Sequence, residues 1–150
     1  MFTVMRDIEI LMVEDDPADA ELVREAFKRF DVAPRLDVID DGQKALDRLR
    51  DAKRVEPDLI LLDLNLPKLD GRQVLRAIKA DRRLRKIPTV VLTTSSADAD
   101  VLQAYSDGAN CFLTKPLGLD EFFHMTKALE RFWLQEARLP TRPTASRRPT

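Results

Sequence analysis

Leu59-Ile60-Leu61-Leu62 is a run of four apolar residues that stops on a carboxylate, Asp63. A strand with one wet face alternates apolar and polar side chains, because successive residues point to opposite faces. This run does not alternate, so both faces need cover, as in a central strand of a parallel sheet flanked by helices. Ile8–Val13 reads the same way. With Arg35–Ile39, Thr89–Thr93 and Cys111–Thr114, and with Leu59–Asp63 itself, the chain holds five such runs. Amphipathic stretches follow them at Pro17–Phe30, Gly42–Ala52, Gly71–Lys79, Ala97–Asp107 and Leu119–Ala137. Strand then helix, five times over, predicts an α/β fold: a doubly wound, five-stranded parallel sheet with five helices.

The punctuation agrees. Asp16-Pro17 sets a capping residue before a proline at the first helical position. Ser96 is placed to cap the fourth helix, and Gly108 follows that helix as a left-handed terminating glycine does.

Ligands of a parallel α/β sheet bind beyond the carboxyl ends of its strands. Those ends carry chemistry here. Glu14, Asp15 and Asp16 follow the first run, Asp63 ends the third, Thr93 ends the fourth, and Lys115 follows the fifth. Crowded carboxylates repel one another. A divalent cation relieves that repulsion, and an oxygen-only donor set without His or Cys favours a hard ion such as Mg²⁺. Lys115 can pair with Asp63. A carboxylate, a lysine, a hydroxyl and Mg²⁺ together suit a phosphoryl group, which a carboxylate can accept as an aspartyl phosphate. Taken singly, Asp16 is a helix cap, Lys115 a surface residue and Thr93 an ordinary strand residue; the reading rests on their joint placement.

Composition narrows the partners. The 150 residues suit one domain, and 25 basic against 26 acidic residues leave a net charge of −1, with no basic excess for a nucleic acid. No apolar run approaches the roughly 18 residues of a membrane span, and no signal-peptide segment opens the chain. The single cysteine, Cys111, excludes an internal disulfide. A soluble cytoplasmic protein is expected, with a domain over 1–137 and a basic Pro/Arg-rich tail over 138–150.

The segments "ILMVEDD", "LILLDLNLPKLDG", "VVLTT" and "FLTKP", in that order, resemble the receiver domain of two-component response regulators over residues 8 to 136. The resemblance implies a flavodoxin-like strand order 2-1-3-4-5 and a signalling protein rather than an enzyme. It implies that Asp63 accepts phosphate from a sensor histidine kinase. Asp15 would be a direct Mg²⁺ ligand, Glu14 would act through water, and the Asn65 carbonyl would complete the metal site. Thr93 would be the switch hydroxyl and Lys115 the phosphoryl contact. The bond from Lys115 to Pro116 would be cis. Phe112 falls at the aromatic switch position, where it lacks the hydroxyl of the commoner tyrosine. "AYSDGANCFLTKP" and the terminal "FWLQEARLP" further resemble stand-alone regulators paired with phytochrome-type histidine kinases.

The last amphipathic stretch carries surplus apolar surface. Ten apolar residues from Leu119 to Ala137 spread over about two-thirds of a helical wheel, where a single sheet needs a stripe near 100°. Phe132 and Trp133 are adjacent and cannot both face one sheet, so a homodimer contact is expected there. His124 lies on the polar side and reads as a surface residue. Only about 13 residues follow this stretch, too few for a DNA-binding module, so output is expected through a partner or through dimerisation. Two other readings compete. A haloacid-dehalogenase-type phosphohydrolase resembles Asp-x-Asp after its strand, but Asn65 stands at the second position. A receiver-like adaptor that works without phosphorylation does not need the full set of Glu14, Asp15, Asp63, Thr93 and Lys115.

Overall fold

The computed structural model describes residues 7–140. Five strands, β1 (Glu9–Val13), β2 (Arg35–Ile39), β3 (Leu59–Leu62), β4 (Thr89–Thr93) and β5 (Cys111–Thr114), form one parallel sheet in the order β2-β1-β3-β4-β5. Every residue of β1, β3 and β4 is buried, whereas the edge strands β2 and β5 are not. The two-faced burial expected of Leu59–Leu62 is met, and each such aliphatic side chain contributes about 1.5–3 kcal/mol.

Helices α1 (Pro17–Lys28), α2 (Gly42–Arg50), α3 (Gly71–Ala80), α4 (Asp98–Ser106) and α5 (Leu119–Leu129) cover the two faces. The chain steps from β1 to β2 in one direction and makes every later crossover in the other. Parallel crossovers are right-handed, so reversing direction moves the connecting helix to the opposite face. Val23 and Phe27 of α1 accordingly pack with Phe122 and Leu129 of α5 on Ile10, Met12, Leu59 and Leu61. On the other face Leu46, Leu75, Ile78 and Ala104 pack on Leu11, Val13, Ile60 and Leu62. The reversal opens a crevice between the ends of β1 and β3, which is where such sheets bind ligands.

Local chemistry fixes the helix starts. Asp16 Oδ1 accepts the Ala18 N–H at 2.9 Å with Pro17 at the first helical position. Asp70 and Gln73 form a reciprocal capping box on α3. Gly71 is required there: a Cβ would lie 2.2 Å from the Asp63 carbonyl oxygen. Gly108 has φ 105°, as its terminating role demands. Ser96 does not cap α4. Ala97 holds the cap position without a side-chain bond, and Ser95, one residue further out, accepts a long 3.4 Å bond from the Ala97 N–H. At the opposite end of the sheet from the crevice, Lys79 Nζ donates to the carbonyls of Arg85 and Ile87 at 3.1 and 3.0 Å and to Asn110 Oδ1 at 3.0 Å. Asn110 Oδ1 also accepts the Thr89 N–H at 2.9 Å.

The stretch Leu119–Ala137 is not one regular helix. The α-helix ends at Leu129 and a π-helical stretch, Glu130–Glu136, continues it, with the Ala137 N–H bonded to Phe132 O at 2.7 Å. Glu130 is buried, accepting the Asp31 N–H at 2.9 Å and Lys127 Nζ at 3.1 Å. The wider turn keeps this carboxylate pinned while Trp133 and Leu134 still reach the core beside α1. Phe132 points away, 56% exposed, with its ring edge-to-face against Trp133 at 5.1 Å. No peptide bond among the described residues is cis, Lys115–Pro116 included; trans is the lower-energy isomer even before proline. No described helix is long and apolar enough to cross a membrane. The basic tail expected over 138–150 lies outside the described residues from 141 onward.

Candidate functional site

Backbone ladders bring the strand ends into register. The Glu14 N–H bonds Ile39 O at 2.9 Å, the Asp63 N–H bonds Val13 O at 3.0 Å, and the Lys115 N–H bonds Thr93 O at 2.7 Å. Residues just past β1, β3 and β5 therefore meet above the crevice. Oxygens of Glu14, Asp15 and Asp63 all lie within 4.8 Å of one another. Glu14 and Asp63 are buried and Asp15 is exposed. This oxygen-only set fits a hard divalent cation that keeps several of its waters. Asn65 is exposed at the rim, with its N–H donating to Asp63 Oδ1 at 3.1 Å.

Lys115 completes the cluster. Its buried ammonium donates to Glu14 Oε1, to Asp19 Oδ2 at 2.8 Å and to Asp63 Oδ2 at 3.3 Å. An ammonium has three hydrogens, and all three are directed at carboxylates. Burial pushes the Glu14 carboxyl up to about 7, against the pull of Lys115 and with a further push from Asp63. Burial also disfavours the Lys115 charge, but its bonds to Asp19 and Glu14 outweigh this and raise its pKa. Three carboxylates thus share one ammonium, and Glu14 is the one of them that burial pushes upward.

Thr93 stands at the end of β4 with 0% exposure, and its Oγ1 finds no hydrogen-bond partner among the described residues. Leaving a buried hydroxyl unpaired costs about 1–3 kcal/mol. The strand ends thus supply an ammonium bonded into the acidic, cation-fitting cluster and, at the end of β4, an unpaired hydroxyl. That combination suits a tetrahedral oxyanion carried on Asp63.

Phe112 is half-buried in β5 against the α3 side of the core, and its N–H donates to the Tyr105 hydroxyl at 3.1 Å. Cys111, on the opposite face of β5, is half-buried against the other core, which pushes its thiol pKa up. His124 is exposed, as expected. Phe132 and Trp133 sit on the last helical stretch, remote in sequence from the acidic cluster.

Sequence reasoning missed Asp19. It reads as an ordinary first-turn acid of α1, with no signal in the sequence for its contact to Lys115. Missed too was the bracing of the β4–α4 loop. Ser95 Oγ donates to Asp100 Oδ2 at 2.5 Å, Arg72 Nη2 holds Asp100 Oδ1 at 3.0 Å, and Thr114 Oγ1 donates to Ser95 O at 3.1 Å. An open groove of about 560 Å³ runs from Glu14 and Asp15 along α1 to Val38 and Lys44.

Known proteins share this fold. Residues 10–127 match the family model of the response regulator receiver domain. Response regulator Rcp1 of Synechocystis sp. is 45% identical over 135 residues, covering 87% of this chain and 92% of that protein. The crystal structure of the phosphorylated cyanobacterial phytochrome response regulator RcpA is 43% identical, covers 91% of this chain and 100% of that one, and superposes with a TM-score of 0.87. The Mn²⁺-bound form of Rcp1 is similar, with 43% identity, coverage of 89% and 99%, and a TM-score of 0.85. With four-fifths of its length inside one family's pattern and its fold superposing on solved members, the chain belongs to the response regulator receiver domain family.

Proposed function

We propose that this receiver takes a phosphoryl group onto Asp63 from the phosphohistidine of a sensor histidine kinase, of the phytochrome-coupled type by similarity to the phytochrome response regulator RcpA. In the transfer, an Asp63 carboxylate oxygen forms the new O–P bond as the N–P bond to the kinase histidine breaks. The bonding pair of that bond stays on the imidazole nitrogen. Glu14, Asp15 and Asp63, with the Asn65 carbonyl, are the residues that would hold Mg²⁺, whose charge offsets that of the phosphoryl oxygens. Lys115, already 3.3 Å from Asp63 Oδ2, supplies the neighbouring positive charge. The Thr93 hydroxyl gains the acceptor it lacks, and Phe112 responds to its movement as a two-state element.

The observation that carries the reading is the unpaired, fully buried Thr93 hydroxyl at the end of β4, the strand next to the one that ends on Asp63. A haloacid-dehalogenase mechanism lacks its acid, because Asn65 occupies that place. The receiver spans 1–137 with 138–150 as a tail. It acts in the cytoplasm as a signalling component rather than an enzyme and without a nucleic-acid partner. Exposed Phe132, whose ring meets half-buried Trp133, offers an apolar contact for the homodimer expected at Phe132 and Trp133.

Incubation with acetyl phosphate and Mg²⁺, read by intact mass, tests the acceptor. The wild type gains one phosphoryl group and Asp63→Asn gains none. Equal labelling of Asp63→Asn overturns the assignment. Light scattering of the same samples tests the dimer; a monomer both with and without beryllofluoride removes it.

A further inference from the structure

We infer that Asp19 is a positioning residue for phosphoryl transfer: it anchors the Lys115 ammonium beside Asp63. The inference rests on reading Asp63 as the acceptor. Asp19 receives a Lys115 hydrogen at 2.8 Å, a shorter contact than the 3.3 Å from Lys115 to Asp63. Unlike the lysine's other two partners, Asp19 stands outside the group of three carboxylates that fits a cation. When a cation draws on Glu14, Asp15 and Asp63, the hold of Glu14 and Asp63 on the ammonium weakens. Asp19 is then the one partner whose charge remains wholly at the lysine's disposal.

Its mounting is rigid. Asp19 lies in the first turn of α1, behind the Asp16 cap and Pro17 and beside buried Ala20. A supporting carboxylate on such an element holds its partner within the tolerance that catalysis requires. An acid in a first turn also favours the helix dipole, but that benefit needs no contact with a lysine 96 residues away.

Lys115 acts through charge and position only. With acetyl phosphate as donor, an Asp63 oxygen forms the O–P bond while the P–O bond to acetate breaks. The electron pair leaves on acetate and no proton moves. Losing one charge-assisted bond to the lysine should therefore lower the maximal uptake rate at saturating Mg²⁺ by roughly tenfold in Asp19→Ala. Asp19→Asn keeps a carbonyl acceptor for the ammonium and should recover most of the loss. In a Lys115→Met background, Asp19→Ala should have no further effect. A readout free of metal and donor comes from the Lys115 Nζ–H resonance. Its exchange with water is slowed by three carboxylates in the wild type; the signal should persist in Asp19→Asn and vanish in Asp19→Ala. An equal rate loss in both lysine backgrounds overturns the anchor, and so does an Asp19→Ala protein that keeps both the wild-type rate and the resonance. A wild type that takes up no phosphoryl group overturns the acceptor reading of Asp63, and the anchor's role in transfer with it.

Discussion

Thr93→Val isolates the buried hydroxyl. Valine keeps the β-branched shape that suits a strand and removes only the polar atom. Because Thr93 Oγ1 is buried and unpaired, removing it should relieve a desolvation cost of about 1–2 kcal/mol. For a chain of this size that corresponds to a rise in Tm of roughly 3–6 °C. The order should reverse in the presence of Mg²⁺ and beryllofluoride, whose fluorines offer the missing acceptor. A hydrogen bond to a charged group contributes about 1.5–3 kcal/mol, so the wild type should bind the mimic at least roughly tenfold more tightly. Differential scanning calorimetry of both proteins, with and without the mimic, measures each half. A ligand-free Thr93→Val protein less stable than wild type by more than 1 kcal/mol, on the scale of a lost paired hydrogen bond, would refute the orphaned-hydroxyl argument. Equal stabilisation of both by beryllofluoride would refute the assignment of Thr93 as a phosphoryl contact.

Gly71→Ala places a Cβ 2.2 Å from the Asp63 carbonyl, so chemical denaturation should show a loss of at least about 1–3 kcal/mol together with slower labelling of Asp63. Phe132→Ser should leave monomer stability within about 0.5 kcal/mol yet weaken any dimer, whereas Trp133→Ala, which strips the core beside α1, should cost about 3 kcal/mol or somewhat less for its partial burial; similar stability effects from the two changes would contradict their opposite orientations. Glu14 has a folded-state pKa raised from 4.5 to about 7, so its contribution is most favourable below pH 4.5 and is lost as pH rises to about 7. In metal-free protein, Glu14→Gln should therefore gain stability relative to wild type between pH 5 and pH 7.5, and a gap that stays constant with pH would exclude this cause.

The fold was legible because its signals were local. Non-alternating runs at Ile8–Val13 and Leu59–Leu62 require two covered faces, and that requirement with the strand–helix alternation leaves few architectures. The meeting of Glu14, Asp63 and Lys115 followed from the rule about strand ends. What stayed hidden depends on three-dimensional neighbours. Asp19 reads as an ordinary first-turn acid until Lys115 arrives from 96 residues away. The π-helical stretch comes from the pinning of Glu130 by the Asp31 N–H, a contact with no trace in the periodicity of Leu119–Ala137. Phe132 and Trp133 could be seen to diverge, but which one turns inward depends on that wider turn.

Lys79 ties the early ends of two strands to one another. Its ammonium joins the carbonyls of Arg85 and Ile87, just before β4, to Asn110, just before β5, and Asn110 in turn holds Thr89. The far ends of the same strands carry Thr93 and Thr114, whose neighbours are held by hydrogen bonds through Ser95 and Asp100. Mechanically, β4 and β5 are a pair of levers clamped at one end, about 16 Å from the end where a phosphoryl group would pull. A clamped beam is displaced most at its free tip and hardly at all at its root. Displacement begun at Thr93 is thus largest at the β4–α4 loop and the Thr114 end of β5 and fades toward Lys79, so the surface that reports the signal lies on the α4 side of the crevice and not beneath the sheet.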